Sequence, residues 1–139
     1  MFSTVAVGTD GSQTAADAVS AAAEIARRFD AKLVLLSAFK ESNAPPSKSD
    51  IELQWAVSSQ ARVLAILERV EAELGEDGVD CETRVGNGEP AEVLVQLASD
   101  CSADLLVIGN KGMKRRVLGS VPNTVTHKAA CSVLVVKTT

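Results

Sequence analysis

The chain has 139 residues, with 14 Lys and Arg against 18 Asp and Glu, 46 % apolar residues, and four aromatics: Phe2, Phe29, Phe39 and Trp55. That length fits one domain with its own core, and a formal charge of −4 argues against a dedicated nucleic-acid binder, which carries a basic surplus. With no tyrosine and scattered aromatics, a platform for stacking bases is not expected.

Thr4–Thr9 (TVAVGT) predicts a first strand. Ser12 then stands as N-cap to a helix over 13–29, with Ala16, Val19, Ala22, Ala23 and Ala26 at helical spacing. Lys32–Phe39 (KLVLLSAF) is a second strand, almost continuously apolar. The Pro- and Ser-containing stretch Glu41–Asp50 predicts a loop before a long helix over 50–74, which Gly75 should stop. Asp80–Val85 alternates and predicts a strand near an edge. Gly86-Asn87-Gly88 predicts a turn into a third helix, opened by Glu89-Pro90 and carrying Val93, Leu94 and Leu97. Asp104–Gly109 is the fourth strand. The last helix starts near Ser120 and carries Val121, Val125 and Ala129, before the fifth strand Ser132–Lys137. The second, fourth and fifth strands read as covered on both faces.

The alternation β-α-β-α-β-α-β-α-β implies an α/β fold: one open, Rossmann-like, five-stranded parallel sheet with helices on both faces, filling residues 1–139 as a single domain. No run approaches the ~18 apolar residues of a spanning helix, and the start MFSTVAVGTD has no charged segment followed by a long apolar one. The three cysteines (Cys81, Cys101, Cys131) are widely spaced with no CxxC, and His127 is the single histidine. A disulfide framework or zinc site is not expected, and a reducing cytoplasm is the expected location. Cys101 and Cys131 read as small core residues, and Trp55 as packing or an interface contact. Catalysis by His127 would need a nucleophile and an orienting acid; Ser12 and Asp10 are the paper candidates, and no catalytic residue is assigned.

Ligands of open parallel sheets bind beyond the carboxyl ends of the strands, where strand order reverses. A reversal between strands one and four would bring Gly8-Thr9-Asp10-Gly11-Ser12 beside Gly109-Asn110-Lys111-Gly112. Gly109 and Gly112 leave backbone amides unobstructed, Gly119-Ser120 falls at a helix start, and Lys111, Lys114, Arg115 and Arg116 lie between them. Together these describe a phosphate cradle. Each piece also has a plainer reading: Asp10-Gly11-Ser12 as a turn and cap, Gly119-Ser120 as a helix start, and the basic run as a solvated loop. Ala91 stands where a dinucleotide fingerprint beginning at Gly86 needs its third glycine, and no GxxxxGK[ST] occurs.

Through TVAVGTDGS, ADLLVIGNKG and LGSVPNTVTHKAACSVLVV, the chain resembles the universal stress proteins over essentially its whole length. The family's nucleotide-binding branch carries G-x2-G-x9-G-[S/T]; here Gly109-x2-Gly112 and Gly119-Ser120 match, with six residues between Gly112 and Gly119. The resemblance implies an adenine-nucleotide-alpha-hydrolase-like fold and a cytoplasmic regulatory module for stress response that binds ATP, or cyclic AMP as in some relatives. Mg²⁺ would accompany ATP. It places Asp10 against the adenosine, Ala38 at the adenine edge and Gly109 by the ribose, with Gly8 and Thr9 also among the cofactor-binding residues. Gly112, Gly119, Ser120 and Val121 would hold phosphates through amides and the Ser120 hydroxyl. It further implies a homodimer through the last strand, and no nucleic-acid or membrane partner. Two alternatives stand beside it: a slow ATPase, and a nucleotide-free dimeric interaction protein.

Overall fold

The computed structural model describes residues 1–40, 50–110 and 118–137, with the side chains of 50–58 excepted. The elements are β1 (Thr4–Gly8), α1 (Gln13–Phe29), β2 (Lys32–Phe39), α2 (Asp50–Glu76), β3 (Cys81–Asn87), α3 (Pro90–Asp100), β4 (Leu105–Asn110), α4 (Ser120–Lys128) and β5 (Ser132–Lys137). All strand pairs are parallel, in the order β3-β2-β1-β4-β5, so the chain reverses direction across the sheet between β1 and β4.

The two-residue period of the strands divides the core. Val5, Val7, Leu33, Leu35, Leu105 and Val107 pack toward α1 and α2. Ala6, Val34, Leu36, Leu106 and Ile108 face the opposite way, toward α3 and α4. Each fully buried Leu or Val stabilises by roughly 1.5–3 kcal/mol relative to exposure. Helix α1 follows its expected span: Ser12 caps it by accepting from Ala15 N–H, and Asp30 ends it in the left-handed region at φ 52°. Its buried stripe is Ala15, Ala18, Val19, Ala22, Ala23 and Ala26. Ala16, expected in that stripe, is exposed; the ~100° step per residue carries it just past the stripe's edge.

Other boundaries differ from expectation for local reasons. Gly75 does not stop α2, which continues to Glu76; the reversal comes at Gly78, where φ is +77°. Gly86 and Asn87 form no turn but extend β3, paired with Ala38 and Phe39 of β2. The turn falls on Gly88, whose N–H donates to Phe39 O at 2.8 Å. Ala129 caps α4 from outside the helix. Strand β5 is not covered on both faces within one chain, because it is an edge and leaves Leu134 37 % exposed. Cys101 and Cys131 are half-buried at the margin of the α3–α4 core, not inside it. Among the described residues, no helix is long and apolar enough to cross a membrane.

Candidate functional site

At the carboxyl ends of β1 and β4 the chain departs in opposite directions across the sheet, and a crevice opens there. Its volume is about 330 Å³, within the range of small-molecule sites. Its floor is tight at two glycines. A Cβ on Gly8 would sit 3.0 Å from Leu94 Cδ1, and one on Gly109 would sit 3.1 Å from the Thr14 carbonyl oxygen. Small backbone there lets α3 and the start of α1 close on the strand ends.

The turn after β1 is built from its own side chains. Thr9 N–H donates to Leu36 O at 2.9 Å, and Thr9 Oγ1 accepts from Gly11 N–H at 3.2 Å. Asp10 Oδ1 accepts from Ser12 N–H at 2.9 Å, leaving the exposed carboxylate at the rim of the crevice. Gly11 takes φ +81°, and its carbonyl accepts from Arg69 Nη2 of α2 at 3.3 Å. Cap and turn chemistry do occur here, as the plainer reading expects, and Thr9, Asp10 and Ser12 also line the crevice.

Across the crevice stands the N-terminus of α4. Gly119 is its N-cap and offers no side chain, so it makes no side-chain cap bond. Pro122, at the third helical position, has no N–H. The Ser120 and Val121 amides are therefore the donors that this helix end presents, reinforced by the helix dipole. Gly119 N–H is engaged elsewhere, donating to Asn110 Oδ1 at 3.0 Å. Apolar surface from Ala38, Pro90, Leu94 and Ile108 completes the lining. One lining with apolar wall and another with free amides suits a molecule bearing both a flat apolar part and an anion.

Eight of the nine expected site residues line this one crevice: Gly8, Thr9, Asp10, Ala38, Gly109, Gly119, Ser120 and Val121. Gly112 lies outside the described residues, as do Lys111, Lys114, Arg115 and Arg116. His127 is exposed in the last turn of α4, ~10 Å along the axis from Ser120, and does not line the crevice. Sequence reasoning missed Ser37, Pro90 and Leu94 as lining residues, and Asn110 as a support. The available signal was polarity in the wrong place. The buried polar side chains among the described residues are Thr9, Ser37 and Asn110, all at the carboxyl ends of β1, β2 and β4.

Comparison with known proteins agrees across the whole chain. The sequence model of the universal stress protein family matches residues 1–137. A universal stress protein of Mycobacterium tuberculosis is 39 % identical over 144 residues, spanning 99 % of this chain and 98 % of its own. A universal stress protein solved in complex with cAMP has a TM-score of 0.78 at 36 % identity, covering 99 % of both chains. A family member from Arabidopsis thaliana, solved with AMP bound, gives 0.75 at 25 % identity, covering 99 % of this chain and 92 % of its own.

Proposed function

The chain belongs to the universal stress protein family, and from that premise we propose that it binds an adenine nucleotide, ATP, as a cytoplasmic, nucleotide-dependent regulatory module. The observation that carries this reading is the crevice itself: about 330 Å³, apolar on one lining, with the uncapped N-terminus of α4 on another. Adenine is common to the cAMP and the AMP held by the two relatives solved with ligands.

In this assignment Gly8, Thr9 and Asp10 meet the adenosine, Ala38 offers backbone groups to the adenine edge, and Gly109 lies by the ribose. Ser120 and Val121 amides and the Ser120 hydroxyl take phosphate oxygens, with Gly112 alongside. Four cations within residues 111–116 favour a polyphosphate over a single phosphate diester. Mg²⁺ would enter on the phosphates, since Asp10 is the only acidic residue among the described lining residues. That same scarcity of acids speaks against hydrolysis: Asp10 is the one acid among the described lining residues, and this reading puts it against the adenosine, away from the phosphates. Regulation needs only that ATP bind one conformation better than another.

The test begins with protein purified without added nucleotide, denatured, and assayed for released adenine nucleotide. Calorimetric titration with ATP and with cyclic AMP follows. ATP is expected to bind at about micromolar Kd, and the double substitution Gly119→Val with Ser120→Ala to abolish it while the melting curve stays cooperative. Unchanged affinity would mean that the site lies elsewhere. No binding at millimolar ligand would support the other proposal, an interaction protein paired through the edge strand β5.

A further inference from the structure

Asn110 is the last residue of β4 and is fully buried, at 0 % exposure. A buried amide side chain at the end of a strand is costly to leave without partners, so where it bonds shows what it stabilises. Its Oδ1 accepts from Gly119 N–H at 3.0 Å, joining the end of β4 to the N-cap of α4 across nine residues of chain. The alternation along β4 explains the reach: Gly109 faces Thr14 at the start of α1, which turns Asn110 to the opposite side, where α4 lies.

We propose that Asn110 is a positioning residue of the nucleotide site, acting through Gly119 and without touching the ligand. This rests on the nucleotide reading given above. By taking up Gly119 N–H, the Asn110 carbonyl withdraws that amide from the phosphate, although the family resemblance would assign it there. It also fixes the N-cap against the strand end, so the Ser120 and Val121 amides meet the ligand already oriented. Preorganised donors spend no reorganisation free energy when the anion arrives. Adenosine, which has no phosphate, draws nothing from this arrangement.

The experiment compares ATP and adenosine on the full-length protein and on Asn110→Leu, which keeps the branched outline of the side chain and removes its hydrogen-bonding groups. ATP binding is read by calorimetry and adenosine binding by ligand-observed NMR. Asn110→Leu is expected to weaken ATP about tenfold and leave adenosine within about twofold. Equal losses for both ligands would reduce Asn110 to a structural residue and overturn the proposal, as would no loss for ATP.

A second measurement needs no variant. In ¹⁵N-labelled unmutated protein, Gly119 N–H should exchange with solvent far more slowly than Ser120 and Val121 N–H. Saturating ATP should slow the latter two and leave Gly119 unchanged. If ATP instead protects Gly119, that amide binds phosphate and the proposal fails even if Asn110→Leu does not fold. If the unmutated protein binds no ATP, the nucleotide reading falls. Slow Gly119 exchange would then show the Asn110 bond intact, separating that failure from a failure of the bond itself.

Discussion

Asp104 accepts two backbone bonds at the amino end of the sheet, from Ser3 and Thr4 N–H, each at 2.9 Å. Its own N–H returns to Thr4 O, so the chain start is pinned to the entry of β4. The Thr4 bond foremost, and then the Ser3 bond, favour the charged carboxylate and hold its pKa below the ordinary 3.8. A depressed carboxylate pKa contributes stability that is present above the unfolded value and lost as pH falls through the folded one. Asp104→Asn, which keeps the shape and removes the charge, should therefore be less stable than the unmutated chain at pH 7. The gap between their urea midpoints should shrink once pH drops below about 3.8 and close at lower pH. A gap independent of pH would assign the loss to something other than the carboxylate charge. At this same scale, the polarity of Asn110 between Gly109 and Gly112 is visible in the sequence, but its partner is not. The Asn110–Gly119 bond depends on how the sheet places β4 against α4, which no local pattern encodes.

Helix α1 was legible from cap to end because every signal is local: Ser12 accepts from Ala15 N–H, and the alanine stripe repeats with the helical period. Helix α2 was legible in kind but not in its end. A glycine inside a helix costs only about 1 kcal/mol, so Gly75 is a weak stop, while Gly78 at φ +77° is a strong one. The Gly86-Asn87 extension of β3 was hidden because its pairing with Ala38 and Phe39 is tertiary. These differences make a paired prediction by urea denaturation. A Cβ on Gly75 meets nothing within 4 Å, so Gly75→Ala should stabilise by roughly 0.5–1 kcal/mol. A Cβ on Gly11 would lie 2.8 Å from Ile66 Cγ2, in a backbone at φ +81° that L side chains avoid. Gly11→Ala should destabilise by more than about 1 kcal/mol and disturb the Asp10 turn with it. Equal effects at the two glycines would contradict the structural distinction between them.

For the whole molecule, the alternation of strand and helix was enough to reach a parallel sheet, because crossover connections leave few topologies open. The reversal between β1 and β4 followed, and with it the gathering of most expected site residues into one crevice. The fifth strand carries the remaining disagreement. Its composition, Ser132–Lys137 as SVLVVK, matches a strand buried on both sides, yet it is an edge with Leu134 37 % exposed. An apolar edge strand with unpaired backbone groups invites a second strand. We propose that a second copy of the chain supplies it, pairing β5 with β5 about a two-fold axis. Light scattering of the full chain at micromolar concentration should then give twice the chain mass. Leu134→Lys, placing a charge on the exposed face of that edge, should give monomer with unchanged far-UV circular dichroism, because the side chain is not part of the core. A monomeric unmutated protein would reject the dimer, and a dimeric Leu134→Lys would move its interface away from this face. Since α4 joins the crevice to β5, ATP affinity measured on the monomeric variant also tests coupling between assembly and the site. Equal affinity in monomer and dimer would make the two independent.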